Sequence, residues 1–490
     1  MQWRKRPVLY EIPAWAWLAE LSARYRANIT LANVPAPEWD ALAALHIDAV
    51  WLMGVWERSP RGIDVSNANS DLQYEFARAL SDYTVTDNVG SAYCVRAYEV
   101  DAHIGGREGL ARARAQLAQR GVRLILDFVP NHIAPDHAWT ETHPEFLLRG
   151  TLQDVEQSPG EFVRVGEYVF ANGRDPYFAP WRDVVQVNAF DAGLRAAMIE
   201  TVNAIAAQCD GMRCDMAMLL LNNIFAKTWG ARAGDIPATD FWRELIPAVK
   251  QNFPDVLFVA EAYWNLEFEL MQHGFDYCYD KRLYDRLKRD NASGVRAHLR
   301  AGADYQDKLV RFIENHDEAR AADAFAPLQH RAAAVIFATV PGAKLFHDGQ
   351  FDGRKIHLPV FLARRQAEAK NYELESFYRA LLKVIDADMF HQGEWQLCAC
   401  SGWIDNASFQ NIVAWTWHHQ DERALVVVNY SAQRSQAMVE LVWDDLRARV
   451  WRLSDALNGD VFLRDGNQLR DAGLFVDLDA WRFHFLQFEA

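Results

Sequence analysis

The fold of this chain is indicated first by the stretch Gly211-Met212-Arg213-Cys214-Asp215, a short strand pattern that follows a helical one and ends in two charged residues. Side chains alternate across a strand, so Arg213 and Asp215, two positions apart, are predicted to point the same way. A guanidinium beside a carboxylate favours the ionised carboxylate and fixes its orientation. The pair therefore suits a carboxylate nucleophile, although Arg–Asp pairs that serve only structure are common.

Seven further apolar runs resemble this one, and helix-like segments separate them. They cover residues 8–12, 49–53, 122–126, 256–260, 275–279, 309–313 and 343–346. Together with 211–215 they alternate with helices in the pattern of an α/β fold of the (β/α)8 TIM-barrel class. In such barrels the chemistry is located at the carboxyl ends of the strands.

Three segments do not share this alternation. Residues 57–90 are polar and without periodicity, which predicts a long functional loop. Residues 133–187 predict a small insertion domain after the third strand. Past about residue 390, strand patterns separated by turns, as at 412–417 and 481–488, predict a C-terminal antiparallel β-sandwich. The predicted domains are residues 1–132 with 188–390 for the barrel, 133–187 for the insertion and 391–490 for the sandwich.

The composition of the 490-residue chain excludes several functional classes. A net charge of −15 argues against nucleic acid or an anionic membrane as a partner, and no apolar run is long enough to span a membrane. Six cysteines without a CxxC pair fit a reducing compartment. The basic N-terminus lacks a signal-peptide pattern because Glu11 and Pro13 interrupt the apolar run, so we predict a cytoplasmic protein.

Four of the predicted strand ends carry acidic, basic or histidine side chains. These are Asp127 with Asn131 and His132, Arg213 with Asp215, Glu261, and His316 with Asp317. Each group taken alone has an ordinary structural explanation, such as a capped turn or a solvated strand end. If the barrel is correct, all of them lie at its catalytic end, and their coincidence predicts an active site.

The same segments resemble the four conserved regions of the α-amylase family, glycoside hydrolase family 13. They are Asp127-Phe128-Val129-Pro130-Asn131-His132, Gly211-Met212-Arg213-Cys214-Asp215, Val259-Ala260-Glu261 and Glu314-Asn315-His316-Asp317. They occur in the order of the family and on the strands that it uses. Gly90-Ser91-Ala92-Tyr93 is similar to the second-strand region of the family, and the C-terminal part resembles the sandwich that these enzymes carry.

The resemblance implies a retaining enzyme that cleaves α-glucosidic bonds of α-glucans or maltooligosaccharides through a covalent glycosyl-enzyme intermediate. It makes Asp215 the nucleophile and Glu261 the acid/base. Asp317 would bind the sugar hydroxyls beside the reacting carbon. The residues implied to contact or support the substrate site are Tyr93, which would stack on the ring, His132 and His316, which would donate hydrogen bonds, Arg213, which would hold the nucleophile, and Asp127, which would orient Arg213.

The sequence also departs from the pattern of the family. Many members place a Lys-His pair three and four positions after the nucleophile, where this chain has Met218 and Leu219. Cys94 replaces the aspartate that exo-acting glucosidases usually place after the stacking tyrosine. Trp264 is predicted either to stack on an acceptor sugar or to pack between barrel loops. Asn131 matches a calcium ligand of many members, but no further ligands are identifiable, so no cofactor is predicted to be required and calcium stays an alternative.

Several interpretations remain open at this stage. A hydrolase is preferred, a transglycosylase using the same residues is the alternative, and an inactive glucan-binding module is a remote one. A phosphorolytic enzyme would need a phosphate site, and no basic loop clearly supplies one. The expected partner is an α-linked oligosaccharide or polysaccharide. Linkage, chain length, exo or endo action and oligomeric state are not predicted.

Overall fold

The structure, a computed structural model, describes residues 3–289 and 292–489. Its strands are β1 Val8–Pro13, β2 Ala49–Met53, β3 Trp56–Arg58, β4 Val95–Val100, β5 Arg123–Phe128, β6 His132–Ile133, β7 Phe162–Val165, β8 Tyr168–Gly173, β9 Trp181–Gln186, β10 Gly211–Cys214, β11 Leu257–Ala260, β12 Tyr277–Tyr279, β13 Leu309–Arg311, β14 Ala343–His347, β15 Glu394–Leu397, β16 Cys400–Ser401, β17 Ile412–His419, β18 Glu422–Asn429, β19 Ser435–Val439, β20 Val450–Asp455, β21 Val461–Asp465, β22 Leu474–Leu478 and β23 Phe483–Glu489.

The helices of the described residues are α1 Ala14–Tyr25, α2 Ala36–Ala43, α3 Pro60–Asn67, α4 Ser70–Ala79, α5 Gly106–Ala118, α6 Trp139–Thr142, α7 Leu152–Gln157, α8 Ala192–Ala206, α9 Asn222–Trp229, α10 Phe241–Asn252, α11 Glu267–Gln272, α12 Lys281–Arg289, α13 Ala292–Leu299, α14 Ala303–Asp307, α15 Ala321–Ala324, α16 Pro327–Thr339, α17 Tyr372–Ile385, α18 Asp388–Gln392 and α19 Gly466–Ala472. None of them combines the length and the apolar character needed to cross a membrane.

Eight parallel strands form a closed barrel in the order β1, β2, β5, β10, β11, β12, β13 and β14. Their side chains are nearly all buried, including every residue of β2 and β14. Parallel strands covered on both faces need such continuous apolar runs, which is why the runs were recognisable in the sequence. The predicted (β/α)8 fold class is confirmed.

Chain contacts divide the described residues into two compact units. The first contains residues 9–279 and 356–367, and the second contains residues 3–8, 280–355 and 368–489. The first unit holds the loops after β2, β5, β10 and β11, and the second holds the loop after β13 and the start of the segment after β14.

The prediction of a long loop at residues 57–90 is wrong. Helices α3 and α4 occupy most of this range. The Ser59 side chain accepts a hydrogen bond from Gly62 N at 2.8 Å, and Pro60 starts α3. Asn69 caps α4 in the same way, through Asp71 N and Leu72 N. Capping residues followed by proline or aspartate are helix-start signals, and they outweigh the weak apolar periodicity of this segment.

Between β5 and α8 the chain forms a four-stranded sheet in the order β6, β9, β8 and β7. Its strands pair antiparallel. This sheet lies almost entirely within the predicted insertion at 133–187, whose boundaries stay a prediction.

The C-terminal part contains a six-stranded sheet, β15-β17-β18-β23-β20-β21, and a three-stranded sheet, β16-β19-β22. Ile412 and Leu425 from the larger sheet share one buried cluster with Val439 and Val476 from the smaller. Two sheets that bury their inner faces against each other form a sandwich. The predicted C-terminal antiparallel β-sandwich is therefore confirmed.

Candidate active site

Arg213 and Asp215 lie at the end of β10 and point the same way, as their spacing predicts. Arg213 Nη1 donates a hydrogen bond of 2.5 Å to Asp215 Oδ1. The backbone fixes Asp215 as well, because its N–H donates to Phe128 O at 2.8 Å. Both side chains are buried, Arg213 to 1% and Asp215 to 7% exposure. The carboxylate is thus held in one orientation by a charged partner and by the barrel itself.

Glu261 follows β11, the neighbouring strand, and joins the same guanidinium. Arg213 Nη2 lies 2.9 Å from Glu261 Oε2. The register continues past the strand ends, since Glu261 N donates to Cys214 O at 3.0 Å. Arg213 therefore forms ion pairs with two carboxylates that come from adjacent strands. Two acidic groups held beside one cation form the centre of the site.

Aromatic rings surround the Arg213 cation. Its guanidinium carbon lies 5.3 Å from the Trp51 ring, 5.1 Å from that of Tyr93 and 5.8 Å from that of Tyr279. Burial alone would lower the pKa of Arg213, but Glu261, the two tyrosines and Asp215 raise it well above its ordinary value. Arg213 therefore remains a permanent cation at this position.

Asp127, at the carboxyl half of β5, contributes mainly to the local backbone. Its Oδ2 accepts a hydrogen bond from Gly54 N at 3.1 Å, and its Oδ1 lies 4.0 Å from Arg213 Nη1. Its backbone oxygen accepts from Trp56 Nε1 at 2.7 Å. The carboxylate is within ion-pair distance of Arg213, and it also holds the turn after β2.

Two hydrogen-bond donors to Glu261 were not predicted from the sequence. Met216 N donates to Glu261 Oε2 at 2.6 Å, and Tyr263 Oη donates to Oε1 at 2.8 Å. Met216 has φ +42°, a left-handed conformation that is uncommon for a residue other than glycine. No feature of the sequence predicts a positive φ at a methionine. Tyr263 follows Glu261 by two residues, so in an extended chain the two side chains lie on the same side.

His132 and Tyr93 are linked directly. His132 Nε2 lies 3.2 Å from Tyr93 O, and burial lowers the pKa of His132 to about 4. The ring is therefore neutral at pH 7, with its proton on Nε2 because a carbonyl can only accept. Asn131 Nδ2 lies 3.4 Å from the other ring nitrogen. In this structure the donor of His132 is engaged by the backbone that carries Tyr93.

The contacts of Asn131 do not fit a calcium ligand. Its Oδ1 accepts a hydrogen bond from Gln186 Nε2 at 3.0 Å, and its Nδ2 lies 3.2 Å from Gln186 Oε1. A reciprocal amide pair satisfies both side chains without a cation. Among residues 3–289 and 292–489, one cluster of possible metal ligands is found. It consists of Asp455, Asp460 and His484 of the sandwich, none of which is a predicted site residue.

Trp264 packs edge-on against Tyr177 of the insertion, with ring centroids 4.7 Å apart, and keeps part of its surface exposed. The predicted packing between loops thus accounts for one face of the Trp264 ring. Met218 and Leu219 are buried to 0% and 3% in the turn that follows Asp215. At these two positions, where many relatives carry polar residues, the chain has apolar core.

His316 and Asp317 follow β13 in the second unit. His316 Nε2 lies 3.1 Å from Asp317 Oδ2, with His316 buried and the Asp317 side chain 43% exposed. Asn315 Oδ1 accepts from Asp317 N at 3.0 Å and from Glu318 N at 2.9 Å, which fixes the turn. An accessible carboxylate on a rigid turn is suited to binding hydroxyl groups.

Comparisons with known proteins agree with these motifs. The family model for the alpha amylase catalytic domain matches residues 38–156. The alpha-amylase MalA of Haloarcula japonica is 22% identical over 446 residues, which cover 88% of this chain and 57% of that protein. An alpha-1,4-glucan:maltose-1-phosphate maltosyltransferase of Rhodospirillum rubrum is 26% identical over 36% of this chain and 22% of its own length. The chain thus spans less than two thirds of the length of these curated relatives.

Solved structures give the same fold. The maltogenic alpha-amylase AmyB of Thermotoga neapolitana superposes with a TM-score of 0.71 at 20% identity, covering 99% of both chains. The alpha-amylase of Geobacillus thermoleovorans, determined with acarbose, gives a TM-score of 0.69 at 15% identity over 100% of both chains. At these identities the likeness establishes the barrel and its C-terminal β domain.

Proposed function

Because the chain belongs to the α-amylase family, we propose that it is a glycosidase that acts on the α-glucosidic bonds of α-glucans or maltooligosaccharides. The observation that carries this proposal is the position of Arg213 between two buried carboxylates. Its guanidinium holds Asp215 at 2.5 Å and Glu261 at 2.9 Å. Double displacement at a sugar carbon requires two carboxyl groups held close together, one as nucleophile and one as acid/base, and Arg213 holds such a pair.

In the first step Asp215 Oδ attacks the anomeric carbon, and the bond to the leaving oxygen breaks as Glu261 gives that oxygen its proton. In the second step water attacks the glycosyl-enzyme, and Glu261 takes a proton from it while Asp215 leaves. Arg213 favours the ionised nucleophile throughout. The hydrogen bonds from Met216 N and Tyr263 Oη hold the Glu261 carboxylate in place for both transfers.

Retention of configuration is part of the proposal. Retaining enzymes hold their two carboxyl groups about 5–5.5 Å apart, whereas inverting enzymes keep about 6.5–9.5 Å between them to admit water. Carboxylates that share the terminal nitrogens of one guanidinium are held close together, which favours the retaining arrangement. Asp317 and His316 are proposed, from the family resemblance, to bind the hydroxyls of the sugar next to the cleaved bond.

Transglycosylation is the second candidate activity. It uses the same residues, with a sugar hydroxyl replacing water in the second step. The similarity to the maltosyltransferase over part of the chain supports transglycosylation as a candidate.

The test is to incubate the full chain with maltoheptaose and follow the products by chromatography and their anomeric configuration by NMR. Shorter α-configured sugars alone are expected for a retaining hydrolase, and products longer than maltoheptaose identify a transglycosylase. Asp215→Asn should lower kcat by several orders of magnitude with the fold intact by circular dichroism. Near-normal turnover of that variant, or β-configured products, would refute the proposed chemistry.

The cellular location is proposed to be the cytoplasm. The six cysteines include no CxxC pair, and Cys94, Cys209 and Cys214 are buried. A chain without the cysteine density of a disulfide scaffold fits a reducing compartment.

A further inference from the structure

The loop that follows β13 is closed on itself by a buried ion pair. Glu314, at the start of the loop, is completely buried, and its Oε2 accepts a hydrogen bond from Ala321 N at 2.6 Å. Its Oε1 lies 3.0 Å from Arg320 Nη2. Residues 315–319, which include His316 and Asp317, are therefore enclosed between the two ends of a side-chain clasp.

Arg320 extends the clasp to the end of β14. Its Nη1 lies 2.7 Å from His347 Nδ1, and its Nη2 donates to Asp348 O at 3.0 Å. A guanidinium can only donate, so His347 Nδ1 must accept, and the neutral ring carries its proton on Nε2. Arg320 thus joins the loop after β13 to the loop after β14 through three separate groups.

The surroundings make this cation costly to remove. Arg320 and His347 are each 3% exposed. Burial raises the pKa of Glu314, and Arg320 opposes that rise. Gly349 has φ +86°, and a Cβ there would clash with the Arg354 side chain and would lie 2.8 Å from Arg320 Nη2, so the backbone passes close to both arginines. A buried charged side chain with backbone packed closely around it indicates a segment whose conformation is fixed.

We propose that Arg320 is a positioning residue, which fixes the turn of His316 and Asp317 against the end of β14 so that Asp317 meets the sugar in one orientation. The inference rests on the proposed function. Asn315 fixes the conformation of the turn by accepting hydrogen bonds from the Asp317 and Glu318 amides. Arg320 fixes the position of that turn relative to the end of β14. A carboxylate displaced by an ångström or less loses much of its effect on a transition state.

The test is a double-mutant cycle between Arg320 and Asp317, measured as kcat and KM on an aryl maltoside with a good leaving group. Arg320→Met should lower kcat about 10- to 100-fold, with KM changed by less than about 3-fold. Arg320→Lys should fall between it and the wild type. In an Asp317→Asn background, Arg320→Met should cause no further loss, because the group it positions is already absent.

Multiplicative losses in the double variant would overturn the inference, since they mean that Arg320 acts on folding or elsewhere in the site. If Arg320→Met does not fold, Glu314→Gln takes its place, because the amide keeps the Ala321 contact and removes the charge. The control is Arg331→Met, which breaks a 2.7 Å ion pair with Glu373 outside this loop and should leave kcat unchanged. If the wild-type protein has no α-glucosidic activity, the proposed function is contradicted instead, so the two failures can be told apart.

Discussion

Arg213 Nη1 donates to Asp215 Oδ1 at 2.5 Å, while the other terminal nitrogen of the same group lies 2.9 Å from Glu261. One side chain thereby orients both proposed catalytic carboxylates. This function requires the planar fork of arginine, because a lysine ammonium is a point charge that cannot hold two carboxylates in a fixed relation.

Arg213→Lys should therefore fail although it keeps the charge. We expect kcat/KM to fall by about 100-fold or more, because one carboxylate loses its partner in a buried site. Steady-state kinetics on maltoheptaose measure the effect, and thermal unfolding separates it from misfolding. Activity within a few-fold of wild type would show that the charge alone suffices.

Glu261→Gln should affect substrates unequally. Glutamine cannot give up a proton, so the first step should slow by several orders of magnitude for maltooligosaccharides, whose leaving group needs protonation. An aryl maltoside with an acidic phenol needs little protonation and should form the intermediate much faster. Added azide, which needs no general base, should then displace Asp215 from the β-linked intermediate and release α-maltosyl azide. Equal losses on both substrates would contradict the role of Glu261.

Tyr263→Phe tests the donor that the sequence did not reveal. Loss of its 2.8 Å hydrogen bond removes one of the groups that hold Glu261 in place. We expect kcat to drop by about 10-fold with KM little changed, as for an interaction that matters mainly in the transition state. Tyr74→Phe, which removes the hydroxyl of an exposed tyrosine on α4, is the control and should leave kcat unchanged. A rise in KM alone would assign Tyr263 to stacking on substrate.

Leu219→His restores the residue type that many family members carry at this position. Leu219 is 3% exposed, so the imidazole would be buried without a partner built for it. We expect a loss of about 1–3 kcal/mol in the free energy of unfolding, measured by urea titration. Leu219→Met is the matched control and should cost less than about 1.5 kcal/mol. A histidine variant as stable as the wild type would show that the turn has room for a polar contact.

Buried neutral histidines should make the protein acid-sensitive. Burial lowers the pKa values of His132, His137, His330 and His391 to about 4. The unfolded chain takes up these protons near pH 6.5, so stability present above that pH is lost as pH falls towards 4. Each group contributes up to roughly 3 kcal/mol.

His391→Gln should reduce the slope of stability against pH between 6.5 and 4. Urea midpoints at pH 7.5, 5.5 and 4.5 measure it, and His143→Gln, at an exposed position, should leave the slope unchanged. An unaltered slope in the His391 variant would mean that this ring is protonated in the folded protein.

The sequence predicted the barrel because buried parallel strands must be apolar throughout, as at Val50 and Phe346. The charged residues at strand ends could be found for the same reason, since Asp215 and Glu261 interrupt such runs. Helices α3 and α4 were missed because their evidence is the caps at Ser59 and Asn69 rather than periodicity.

The second layer of contacts could not be predicted from patterns. The donor from Met216 depends on a backbone angle, and the clasp between Glu314 and Arg320 depends on a loop that returns on itself. Such contacts arise between positions whose spacing has no period, so only the folded backbone reveals them. Residue types at strand ends identify the chemistry, whereas the groups that hold those residues require coordinates.

The contact from Met216 to Glu261 has a genetic consequence. It is made by a main-chain N–H, so replacement of the methionine side chain leaves the donor in place, with the exception of proline, which has none. Glycine would adopt the φ of +42° without strain and keep the bond. Position 216 can therefore supply this donor from any residue that tolerates φ +42°, a conformation that disfavours β-branched side chains. The contact to the acid/base depends on the main chain and not on the chemistry of the side chain.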